Sequence, residues 1–230
     1  MNTPAAIARR LADPPREYRP QLFWVWNGDM TRERIDEMLA SFAEQGAGGV
    51  FLHPRPGLIT EYLSEEWFEL WRYALERCKR LNLFCQIYDE NSYPSGFAGG
   101  HVVASDPSLG GTRMRCRLVR DPNAPHRKDV EVLGLYRQDR DGCPGQALAS
   151  DAFAEASPEQ PLLSVEIVRN PARPFSAWRP QVDLLHPEVG RRFIELTHEA
   201  YRAHFASDFG DSIRFAFADE PSVTPCGGLP

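Results

Sequence analysis

Cysteine is sparse: five in 230 residues, at Cys78, Cys85, Cys116, Cys143 and Cys226. No two are close enough in sequence to suggest a zinc ribbon, and the odd, widely spaced set indicates no disulfide framework. Free thiols in a reducing compartment fit this usage. Long apolar runs are missing, and none approaches the roughly 18 residues a membrane span needs. Excess basic charge is missing too: the net charge is −6. An acidic chain has neither the basic footprint of a nucleic-acid binder nor the basic face of a membrane-surface helix. The first 15 residues carry Arg9, Arg10 and Asp13 but no apolar core segment, so they are not a secretory signal. The expected location is cytoplasmic, or secreted or periplasmic if the true N-terminus lies upstream.

What remains is an ordinary globular composition, 42% apolar and 25% charged, that excludes collagen-like and disordered classes. Three stretches share one grammar. Leu22-Phe23-Trp24-Val25-Trp26 is a strand-like run that ends in Asn27-Gly28-Asp29. Thr31 then suits a helix N-cap, and Ile35, Met38, Leu39, Phe42 and Ala43 form a helical stripe stopped by Gly46. Gly49 to Leu52 is the second strand, followed by His53-Pro54-Arg55-Pro56-Gly57. Ser64 caps the next helix, whose stripe runs from Trp67 to Cys78. Leu83 to Tyr88 is the third strand, ending in Asp89-Glu90-Asn91.

A glycine-rich loop, 93–100, interrupts the pattern. Short strands then follow at Met114–Val119, Val130–Tyr136 and Leu162–Val168, with 147–161 read as a connector. The βα grammar resumes near Asp183. Pro187 opens a helix whose stripe runs from Val189 to His204, and Ile213 to Ala218 makes a fourth strand ending in Asp219-Glu220-Pro221.

Alternating strands and helices predict a parallel sheet covered by helices. The dinucleotide glycine fingerprint is absent after the first strand, which counts against an open nucleotide-binding sheet. Polar residues at every strand end favour a (β/α)8 barrel, whose catalytic groups gather at one face. A full barrel needs about 250 residues. The expectation is therefore the N-terminal half of a TIM-type barrel, four βα units with a small β-rich insertion after strand three. The expected divisions are a lead segment 1–19, barrel units 20–111, the insertion 112–180, and the third helix with the fourth strand at 181–230, where the barrel is cut short. Such a half would need self-association or its missing C-terminal half.

Glu220 is the strongest catalytic candidate, a carboxylate at a strand end before a proline. A loop cap or a salt bridge would also explain Asp219 or Glu220. Glycoside cleavage uses two carboxylates, about 5–5.5 Å apart for retention and about 6.5–9.5 Å for inversion. Asp89 and Glu90 are neighbours on a strand, so only one can face a shared mouth unless the backbone turns. They could bind substrate, structure a loop or bind calcium; no metal is assigned and no cofactor is implied. His53 and Arg55 could contact a sugar hydroxyl or a site carboxylate. Trp24, Trp26, Tyr88, Tyr93 and Phe97 cluster near the strand ends, where aromatic faces suit sugar rings. His198 and Glu199 are adjacent on a helix and read as packing residues. The loop 93–100 lacks a P-loop ending, and no Gly-x-Ser-x-Gly elbow is present.

The motifs fall in a recognisable order. They are Trp24-Val25-Trp26-Asn27-Gly28-Asp29-Met30, the run Gly48 to Gly57, Leu63-Ser64-Glu65-Glu66-Trp67, Tyr88-Asp89-Glu90-Asn91 with Tyr93 to Gly100, Thr197-His198-Glu199, and Phe217-Ala218-Asp219-Glu220-Pro221. Over Pro20 to Ser222 the chain resembles the catalytic region of large bacterial glycoside hydrolases related to the α-L-rhamnosidases of family 106. That resemblance implies a (β/α)8 barrel followed by β-sandwich domains, acting on plant or microbial glycans. It implies Glu220 as acid/base, with the partner carboxylate from a later strand. Trp26, Asn27, Asp29, His53, Arg55, Asp89, Glu90, Tyr93 and Asp219 are the expected carbohydrate-binding residues. The alternative is a non-catalytic carbohydrate-binding or scaffold remnant of such a barrel.

Overall fold

The computed structural model describes residues 3–123, 130–149, 151–169 and 182–221. A short helix α1 (Pro4–Ala12), capped by Thr3, buries none of its side chains. Parallel strands then alternate with helices: β1 (Gln21–Trp26), α2 (Arg32–Glu44), β2 (Gly49–Pro54), α3 (Glu65–Arg80) and β3 (Phe84–Tyr88). A one-turn helix α4 (His101–Ser105) leads into an antiparallel unit of β4 (Thr112–Val119), β5 (Val130–Gln138), β6 (Pro144–Leu148) and β7 (Leu162–Arg169). Helices α5 (Pro187–Leu196) and α6 (His198–Phe205) return the chain to β8 (Ala216–Phe217). The fold is mixed α/β, with a parallel sheet ordered β1-β2-β3-β8 and an antiparallel sheet ordered β4-β7-β5-β6. The parallel sheet is open and does not close into a barrel.

Local chemistry explains the helix starts. Thr31 Oγ1 accepts from the Arg34 amide at 3.2 Å, and Ser64 Oγ accepts from Trp67 at the same distance. Glu65 and Glu66 sit at the positive end of α3, and Arg77, Lys79 and Arg80 at its negative end. Strand alternation then sorts the side chains. Trp24, Trp26, Cys85 and Ile87 face Ile35, Leu39, Trp67, Trp71, Tyr201 and Phe205 in the main core. Phe23 and Val25 lie on the opposite face, 51% and 42% exposed. There the Phe23 ring meets Phe51 at 5.3 Å and Phe217 at 4.8 Å, edge to face. At Gly49 an added Cβ would come within 2.7 Å of the Phe84 backbone, so the β2–β3 contact requires glycine there.

Three expectations change. The stripe from Val189 to His204 is two helices, broken at Thr197. The Thr197 hydroxyl donates to the Phe193 carbonyl at 2.6 Å, a local bond that competes with helix propagation. The fourth strand is only two residues long, because the fully buried Gln86 takes the place of the ladder upstream. Its Oε1 accepts from the amides of Arg214 and Phe215, at 2.8 and 2.9 Å. Within 147–161, read as a connector, the chain first completes the hairpin strand β6, closed by the turn at Asp139 to Gly142. The end of the expected insertion, 170–181, and residues 222–230 lie outside the described residues.

Candidate active site at the strand ends

The C-terminal ends of β2, β3 and β8 bring polar groups together. His53 leaves β2 and stacks on Tyr88 of β3, ring centroids 3.5 Å apart. The Tyr88 hydroxyl donates to Asp219 Oδ2, just past β8, and lies 3.1 Å from the Ser92 carbonyl. Arg55 Nη2 lies 3.9 Å from the same Asp219 oxygen. Its guanidinium is 5.9 Å from the Tyr93 ring centroid, and Tyr93 is 47% exposed. The Arg55 amide donates to the Trp26 carbonyl, which ties the β1 end to this group. An added Cβ at Gly57, where φ is +104°, would meet the Asn27 carbonyl at 2.6 Å, so the chain after β2 packs directly on that strand end.

The environment sets the charge of each group. Burial, helped by the Arg55 charge, lowers the His53 imidazole to about 4, so it is neutral near pH 7. Neither ring nitrogen makes a hydrogen bond of normal geometry; a weak approach to the Ser92 backbone slightly favours the charged form. Burial, then the bond to Asp219, raises the Tyr88 phenol, which stays a donor. The site thus holds a neutral imidazole, a phenol, an Arg–Asp pair and an aromatic face.

The neighbouring acids are turned inward. Asp89 is 1% exposed; Ser95 Oγ donates to its Oδ1 at 2.6 Å, and His198 Nε2 lies 3.3 Å from its Oδ2. Glu90 is fully buried and accepts from the amides of Asn91, Gly96, Phe97, Ala98 and Gly99. Burial pushes its carboxyl up to about 7 against the pull of those donors. Glu220 is exposed and has left-handed backbone, φ +43°, which is sparsely populated for a glutamate.

Of the expected residues, His53, Arg55, Tyr93 and Asp219 come together, and Glu220 follows directly in the chain. Asn27 and Asp29 are exposed at the end of β1. Trp26 is corrected: it is fully buried against Trp24 and Trp67 on the helix side, because even-numbered residues of β1 face the helices. Phe97 is likewise buried, with Val102 and Phe193. Glu90 is corrected as a ligand contact, since both its oxygens are taken by backbone amides. Tyr88, expected among the aromatic residues near the strand ends, joins the site through its hydroxyl; Ser95 was missed as part of the site, and nothing local marks it. Among the described residues, no group of three or more His, Cys, Asp or Glu side chains is arranged to hold a metal ion. No described helix is long and apolar enough to cross a membrane.

The class these features define is a mixed α/β protein with a polar and aromatic cluster at the C-terminal ends of parallel strands. No protein-family model matches the chain, and no curated protein matches it. Among solved structures it is weakly similar to a rhamnosidase from Novosphingobium sp. PP1Y, with a TM-score of 0.37 and 19% identity over 64% of this chain. The chain spans 18% of that protein's length.

Proposed function

We propose that this chain forms part of a glycoside-hydrolase barrel of the α-L-rhamnosidase kind, its four parallel strands being half of a (β/α)8 closure. Glu220 is the acid/base group of this reading. The observation that carries it is the convergence of His53, Arg55, Tyr88 and Asp219 at the strand ends, with Glu220 next in the chain, exposed and in strained backbone. Strain of this kind costs of order 1–3 kcal/mol and concentrates at functional sites. The order of the sequence motifs supports the same reading. The partly exposed Arg55 guanidinium beside Asp219 suits the hydroxyls of a sugar, the exposed Tyr93 ring suits its C–H face, and the buried Tyr88 holds Asp219 in place. Asp89, Glu90 and Asp219 are all engaged within the chain, and in the family this chain resembles the partner carboxylate comes from a later strand.

The test is turnover of an aryl α-L-rhamnoside by the protein that carries this chain, with and without Glu220→Gln. Loss of general acid–base catalysis lowers turnover by roughly 10²–10⁴-fold. The circular dichroism spectrum stays unchanged, because the side chain is exposed. Retained turnover in the variant sinks the assignment. The engagement of the other acids favours a second reading, a carbohydrate-binding unit without hydrolysis. Calorimetric binding of L-rhamnose with no turnover would select it.

A further inference from the structure

Glu90 does more than fill a buried site. Five amides converge on it, from Asn91 on Oε1 at 2.8 Å, from Gly96, Phe97 and Ala98 on Oε2 at 3.1, 3.0 and 2.8 Å, and from Gly99 on Oε1. The loop that supplies them is strained. Ser92 and Ala98 have φ of +95° and +50°, and Gly96, Gly99 and Gly100 also lie at positive φ. Left-handed backbone turns successive N–H groups toward one point, making a concavity that binds an anion. Here the anion is built into the chain. Such conformations persist only when the surroundings over-determine them, and the Glu90 carboxylate is the group that all five amides share.

Ser95 sits inside this loop, next to Gly96, and links it to the fourth strand end in both directions. Its amide donates to the Asp219 carbonyl at 2.7 Å, and its hydroxyl accepts from the Asp219 amide at 2.8 Å. The same hydroxyl donates to Asp89 at 2.6 Å. From Glu90 the chain of contacts therefore runs through the loop amides to Ser95, then to the backbone of Asp219, and then to Glu220. The β8 ladder is only two residues long and ends at Phe217, so it does not hold this segment itself.

We infer that Glu90 is a positioning residue: its carboxylate templates the loop 91–99, and through Ser95 that loop sets the backbone of Asp219 and the direction in which Glu220 leaves the sheet. This deepens the proposed function and rests on its placement of the site at the strand ends. Glutamine is the telling replacement, because its amide group turns a donor toward two or three N–H groups that need an acceptor.

Residue-resolved amide exchange by NMR on the full 230-residue chain tests the inference without requiring turnover. In Glu90→Gln, exchange at Gly96 to Gly99 and at Asp219 is expected to quicken by roughly tenfold or more, the effect of losing a hydrogen bond to a charged group. Amides of α2 and β3 stay protected. In Ser95→Ala, the Asp219 amide quickens while Gly96 to Gly99 do not, and Ser95→Thr, which keeps the hydroxyl, restores it. An Asp219 amide that is unmoved in either variant overturns the inference. Uniform acceleration across α2 and β3 in Glu90→Gln overturns it as well, since Glu90 would then hold the fold and not the strand end. No turnover by the protein that carries this chain, together with these exchange patterns, would remove the hydrolase reading and leave the positioning intact. Active protein with Asp219 unmoved would do the reverse.

Discussion

Glu90 and Glu166 are both fully buried glutamates, one at the end of the parallel sheet and one inside the antiparallel sheet. They are stabilised by different means. Glu90 meets only backbone amides. Glu166, on β7, meets Arg115 at 2.6 Å, Arg117 at 3.0 Å and the Ser164 hydroxyl at 2.9 Å. The two carboxyls shift in opposite directions. Burial pushes Glu90 up to about 7. Burial pushes Glu166 upward too, but Arg115, Arg117 and Ser164 outweigh it and hold the group below its ordinary value. The sites differ in depth as well as in partners: Glu166 sits among partly exposed arginines and loses less water, so two guanidinium ions outweigh its burial, whereas at the deeper Glu90 five amide dipoles only partly offset it. The parallel unit thus keeps a costly carboxylate where a loop must be shaped, and the antiparallel unit keeps a well-paired one where two strands meet.

The largest effect that could break this comparison is Glu90→Ala. It leaves five amides without their acceptor, and a buried donor left unpaired costs roughly 1–3 kcal/mol. Because the loop can relax and admit water, the expected loss is on the order of 3 kcal/mol or more, read from the urea midpoint at constant m-value. Glu166→Gln should cost less, about 1–2 kcal/mol by the same measurement, because Arg115 and Arg117 are about a third exposed and can turn to water. If the second loss exceeds the first, the amide set matters less than the ion pairs and the comparison fails.

A smaller effect sharpens it through pH. Glu90 is raised on folding, so the stability it contributes is present below its unfolded value of about 4.5 and is lost as pH rises through about 7. Glu166 is lowered, so its contribution is present above about 4.5 and is lost as pH falls below that value. His53 is lowered to about 4, so its contribution is lost as pH falls from about 6.5 to about 4. Glu90 and His53 therefore oppose each other in the acid range. Melting temperatures from pH 4 to 7 should show His53→Asn losing less stability on acidification than the wild type. Glu166→Gln should flatten only the lowest part of that curve. An unchanged pH profile in His53→Asn would show that the imidazole is not held neutral.

The features legible in the sequence share one property: their causes are local. The caps at Thr31 and Ser64, the stop at Gly46 and the apolar runs of β1 to β3 depend on neighbours a few residues away. For the same reason the strand ends carrying His53, Arg55, Asp89 and Asp219 could be marked in advance. Alternation alone would have sent Trp26 to the helix side, but its place at a strand end among polar residues outweighed it. The break at Thr197 and the short β8 were not legible, because a helical stripe does not show whether a threonine will bond backward, nor a strand run whether a distant glutamine will replace its ladder.

By itself, then, the sequence determined the alternating strands and helices from β1 to β3, which of their faces are apolar and where the polar strand ends fall, since these follow from spacing and propensity along the chain. Only the tertiary structure decided which carboxylates remain available. Glu90 and Asp89 are consumed by a loop that folds back on them, Asp219 is held by Tyr88 and Ser95, and Glu220 is left exposed. Those outcomes depend on groups up to 131 residues apart meeting at hydrogen-bond distance, which no periodicity in the chain encodes.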